Sequence, residues 1–144
     1  MTYEALPSSR SIGTVRAAVL GRAVVLGASL LLLADGILQI LSPDVMVRAL
    51  TQIGFAADQG PRLAVITLTC AALLAIPRFA PLGAVLTTGF LGGAICSHFR
   101  VEGFGSPPQL LSIFLGLSIW VGLALADVRV RAALLGGPKR PLAD

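Results

Sequence analysis

Hydrophobic positions gather into four long runs separated by short polar or proline-bearing segments. Ala23 to Leu41, AVVLGASLLLLADGILQIL, is broken only by Asp35 and Gln39, and matches the roughly 20 apolar residues that a spanning helix needs. Leu63 to Ile76, LAVITLTCAALLAI, is the shortest run. Alone it also fits a re-entrant segment, but its flanking Arg62 and Arg78 can snorkel and Pro61 can start the helix earlier. Leu82 to Ser97 follows a break at PRFAP, and Gln109 to Ala126 follows Ser106, Pro107 and Pro108, a cap-and-proline start. The pattern predicts spans over about 20–41, 61–77, 81–98 and 107–126.

Between the first two runs lies SPDVMVRALTQIGF. Ser42 is a suitable cap, Pro43 suits the first helical position, and Asp44 favours the positive end of the helix dipole. Met46, Ala49, Leu50 and Ile53 then share one side, which predicts a short helix on the membrane surface. Residues 1–16 are polar and predict a loose, flexible cytoplasmic amino terminus, and 132–144 a basic cytoplasmic tail. The transmembrane domain is placed at 17–131. A cleaved signal peptide is the rival reading of the first run, but the small-x-small cleavage pattern after it is poor.

Composition supports lipid as the solvent. Of 144 residues 56% are hydrophobic and only 12% charged, with a mean hydropathy of +0.88. A chain this size has too little interior to hide that much apolar surface from water. The net charge of +4 does not point to nucleic acid, because the basic residues form no stripe with interleaved aromatics. They sit at the ends of apolar runs. Arg10, Arg16 and Arg22 precede the first, Arg78 lies between the second and third, and Arg129, Arg131, Lys139 and Arg140 follow the fourth. In the remaining two loops Arg48, Arg62 and Arg100 are offset by Asp44, Asp58 and Glu102. The positive-inside rule then puts both ends in the cytoplasm. The predicted fold is all-α: an integral membrane four-helix bundle with both termini cytoplasmic.

Few residues can carry chemistry. With one His and two Cys, no CxxC motif and no phosphate-loop or dinucleotide fingerprint, no metal site is predicted and soluble-type cofactor chemistry is disfavoured. Gly89, Gly92, Gly93 and Cys96 lie within about 100° of helical arc, which predicts close packing against another helix, with a slot for a flat ligand beside the glycines as the alternative. Cys96 and His98 point about 200° apart, so a nucleophile–base pair is not expected. Asp35 lies about 10 Å inside the outer end of the first helix, where a carboxylate costs a few kcal/mol unless protonated or paired. It should face the bundle interior, with Gln39 one turn along. Arg62, His98, Arg100 and Gln109 reach similar depths from the other helices, predicting a polar mouth above an apolar interior. Such a mouth fits a quinone-like head with its tail among the helices. The bland reading of Asp35 is a hydrogen bond that fixes helix register.

The phrases DGILQILSPDVM, IGF and IPRFAPLGAVLTTGFLGGAICSHFRVEGF together resemble the DoxX-like family of small four-helix bacterial membrane proteins, over roughly residues 20–130. The resemblance implies a four-helix bundle in the inner membrane and, through subunits associated with thiosulfate:quinone oxidoreductase in the wider family, a link to redox complexes. Members of that family often carry Lys where this chain has Gln39. Two functions follow as expectations: a quinone-linked redox membrane subunit, or a non-catalytic module that docks a partner protein or binds lipid. A redox partner protein and a homo-oligomer are the candidate assemblies. A channel is disfavoured because four short spans with one buried acid offer little polar lining.

Overall fold

Residues 9–41 and 43–136, the part described by this computed structural model, form six α-helices and one 3-10 turn joined by short connections. Residues 1–8, Ser42 with its predicted cap, and the end of the tail at 137–144 lie outside the described residues. The helices are α1 (Ser9–Leu41), α2 (Pro43–Gln52), α3 (Gly60–Ala75), α4 (Ala80–Glu102), α5 (Pro107–Ala126) and α6 (Val128–Leu135), with the 3-10 turn at Ala57–Gln59.

α4 runs four residues past the expected end at 98, and two further boundaries differ more from the sequence pattern. The polar stretch from Ser9 to Arg16 is helical rather than loose. Once the apolar run has nucleated a helix, each further residue adds a hydrogen bond without a new nucleus. The start of the expected tail is also helical, as part of α6. Asp127 caps it, its carboxylate accepting from the Arg129 N–H at 2.8 Å, and Gly136 ends it in a left-handed conformation.

α1 packs along α3 and α5, and α4 closes the ring by packing against the same two. Val25, Ala28 and Leu32 of α1 meet Cys70, Ala71 and Leu74 of α3, Ala84 and Leu91 of α4 and Ile119 of α5 in one buried cluster. Polar cross-links pin the pairs. Ser29 donates its hydroxyl to the Ala71 carbonyl at 2.8 Å, and the indole N–H of Trp120 on α5 donates to Thr88 of α4 at 2.9 Å. Arg22 reaches from α1 to the Leu74 carbonyl at 3.4 Å and to that of Ala75. Its cation thereby meets the negative end of the α3 dipole and two carbonyls that have no intrahelical donor.

Gly13–Leu41, Ala80–Glu102 and Pro107–Ala126 are each long and apolar enough to cross a membrane. In their most apolar windows only 33%, 28% and 28% of residues are buried within the chain, so most of that apolar surface faces outward. Lipid is the solvent that satisfies it. This is a membrane protein. α3 covers the predicted second span, but its 16 residues give it a length of only about 24 Å.

The glycine prediction needs correction. A Cβ added at Gly89, Gly92 or Gly93 would meet nothing within 4 Å, and Cys96 is exposed, so this stripe packs against no other helix of the chain. Close approach occurs elsewhere. A Cβ on Gly21 of α1 would collide with the Gly122 carbonyl and lie 2.7 Å from the Ala126 nitrogen; one on Gly83 would lie 2.8 Å from the Leu74 nitrogen. A helical wheel gives the face of a stripe but not the neighbour that face meets, and here α4 turns Thr87 and Leu91 inward instead.

Candidate functional site

Asp35 sits about 9 Å before the end of α1, and His98 one turn before the end of α4. α1 and α4 finish at the same end of the molecule, and the two side chains line one groove of about 330 Å³. Pro108, Leu111, Ser112 and Leu115 of α5 form its third wall. Its volume falls at the lower end of small-molecule sites. Leu31, Leu32, Phe90 and Leu91 make the deeper surface apolar, so the polar groups gather at one place.

Each polar group has a distinct environment. The Gln39 side chain is buried; its amide donates to Asp35 Oδ2 at 2.7 Å and lies 3.5 Å from the Thr67 hydroxyl of α3. Asp35 itself is exposed on the groove wall rather than enclosed among the helices. The expected interior position is thus corrected: Gln39 takes the inward place and holds the carboxylate from behind. His98 is mostly buried, with Nδ1 3.4 Å from Glu102 Oε1. That contact lacks hydrogen-bond geometry, and Nδ1 is a buried polar atom without a hydrogen-bond partner. Ser112 donates to the Pro108 carbonyl at 2.8 Å, leaving its oxygen able to accept.

Three of the six predicted mouth residues therefore gather, and three do not. Arg62 is exposed and pairs with Asp58 at 3.6 Å. Arg100 donates to the Ile53 carbonyl at 3.2 Å, tying α4 to the loop after α2. Gln109 is buried but spent on its own loop, donating to the Gly103 carbonyl at 2.7 Å and accepting from the Gly105 N–H at 3.0 Å. Matched depth put these residues on the candidate mouth; helix phase takes them off it. Cys96 has no part in the groove that His98 shares with Asp35, in keeping with their angular separation. Glu102 was legible from its spacing, four residues after His98. Ser112 carried no comparable signal. Among the described residues no three of His, Cys, Asp and Glu cluster to hold a metal.

The model of the DoxX-like family matches residues 23–122. The chain belongs to the DoxX-like family. No curated protein and no solved structure matches it. The matched segment of this DoxX-like protein runs from the start of the apolar run of α1 to the last turns of α5. It contains every residue of the Asp35–His98 groove, whereas α6 falls outside it.

Proposed function

We propose that this DoxX-like protein is a membrane subunit that holds the ring of a quinone-like molecule in the groove between α1, α4 and α5. The observation that carries the reading is that Asp35 and His98, from different helices, line the polar end of one otherwise apolar groove. The fit is supported by the His98 ring, which lines the groove while its Nδ1 stands 3.4 Å from Glu102, and by the apolar Leu31, Leu32 and Phe90 beyond it. A quinone presents carbonyl oxygens to polar donors and a hydrocarbon tail to leucines. When bound it supplies two-electron chemistry coupled to protons; the chain's own part is to orient the ring and to hold or pass a proton at His98 or Asp35.

The same reading includes topology. α3 crosses as a fourth, short span in the bacterial inner membrane, with both chain ends cytoplasmic. Arg22, Arg78, Arg129 and Arg131 all lie near the α3–α4 turn, in the amino-terminal half of α1 or just after the carboxy-terminal end of α5, while charges at the other end balance. A length of about 24 Å is accommodated by local bilayer thinning and by arginines that snorkel.

The test is extraction in mild detergent followed by mass spectrometry of retained small molecules. Wild-type protein should carry quinone, and Asp35→Asn and His98→Ala should lose it while helicity is unchanged. Ligand-free wild-type protein of intact helicity would overturn the reading and favour a non-catalytic module that docks a redox partner or a second copy.

A further inference from the structure

Along the face where α3 meets α4, three hollows of about 400, 250 and 510 Å³ run end to end. Phe55 and Ser97 are shared by the first and second, and Gly89 and Phe90 by the second and third. The trough is open because Gly89 and Gly93 have no side chain and no neighbour within 4 Å of where one would stand. Its upper end carries a positive charge; its lower end, between α3 and Val85, is apolar.

Charge at the upper end comes from Arg100. The guanidinium lies over Gly54, where a Cβ would sit 2.6 Å from Nη2, and the positive φ of 83° at Gly54 suits a residue without one. Its bond to the Ile53 carbonyl leaves the charge uncompensated, and no carboxylate is paired with it among the described residues. Arg62 is occupied by Asp58. Glu102 lies about 200° further round α4 and turns to His98. From Arg100 to Val85 the helix rises about 22 Å, more than the roughly 15 Å of one leaflet's hydrocarbon.

We propose that this trough is a binding site for one anionic phospholipid, its phosphate at Arg100 and an acyl chain laid over Gly93 and Gly89. Charge selects the headgroup, and the apolar length below selects a lipid over a free anion. The site is separate from the groove on the Asp35 side, with Phe90, Ala94 and His98 forming the wall between them. It stands without the quinone reading.

Full-length protein in mild detergent is titrated with phosphatidylglycerol or phosphatidylethanolamine and observed by native mass spectrometry. Wild type should retain one phosphatidylglycerol in preference to phosphatidylethanolamine. Arg100→Gln should weaken that binding about five-fold, the loss of one interfacial cation, and Arg100→Lys should restore most of it. Gly93→Leu should block the trough, with helicity checked by circular dichroism; if that variant misfolds, the Arg100 pair still decides. Equal retention of the two lipids, or unchanged phosphatidylglycerol binding in Arg100→Gln, would overturn the proposal. So would a dimer that carries no lipid and dissociates in Gly93→Leu. Quinone is scored in the same spectra through Asp35→Asn, so either site can fail alone.

Discussion

Gln39 donates its side-chain amide to the Asp35 carboxylate at 2.7 Å, one turn away on α1, while approaching Thr67 of α3. The contact fixes which way an acid within an apolar helix points. It also joins the candidate site to the α1–α3 packing. Gln39→Leu should cost about 1.5–3 kcal/mol, the range for a hydrogen bond to a charged group. A double-mutant cycle with Asp35→Leu, read by thermal or denaturant unfolding in detergent, should show that the two losses are not additive. Additive losses would mean the contact contributes nothing of its own.

Arg22 satisfies the last carbonyls of α3 from the neighbouring helix. Arg22→Met keeps the stem and removes the donors. Hydrogen–deuterium exchange should then quicken in the final turn of α3, before Ile76, and stability should fall by about 1–2 kcal/mol. Exchange in the first turn of α3 should not change.

The glycines divide into two classes. Gly21→Ala forces a methyl group against the α5 backbone at Gly122 and Ala126 and should destabilise by about 1–3 kcal/mol or more. Gly89→Ala and Gly92→Ala meet open space inside a helix and should be neutral or stabilising by up to about 1 kcal/mol. Parallel melting curves of the three variants separate these outcomes.

The single tryptophan, Trp120, reports on the α4–α5 seam through its bond to Thr88. Thr88→Val leaves the indole N–H unpartnered in an apolar setting. It should shift the fluorescence maximum and lower stability by about 1 kcal/mol. An unchanged emission spectrum would show that the two helices are not linked there.

Cys70 is buried between α3 and the core, and Cys96 is exposed on α4. A membrane-permeant maleimide should therefore label Cys96 in folded protein and reach Cys70 only after denaturation. Peptide mapping of the labelled protein reads the ratio.

Apolar run length was enough to locate α1, α4 and α5, because lipid imposes one dominant requirement on a spanning segment. The proline starts of α2, α3, α4 and α5 were legible for a local reason, the fixed φ of proline, whereas the cap expected at Ser106 does not form, its hydroxyl bonding no backbone N–H. Rotation about each helix axis was not. Asp35, Gln39, Arg62, Arg100 and Gln109 all reach suitable depths, yet only Asp35 and Gln39 join His98, because depth follows from counting and facing follows from packing. Gly89 and Gly93 show the same gap. Their stripe was visible, while the small residues that bring backbones together proved to be Gly21, Gly83 and Gly122.

The most direct test of the quinone groove is photolabelling with an azidoquinone in native membranes, followed by peptide mapping. Labelling should fall on α1 around Asp35 and on α4 around His98, should be displaced by unlabelled quinone, and should vanish in Asp35→Asn. Label spread evenly over the lipid-facing leucines, or left undisturbed by competitor, would contradict it.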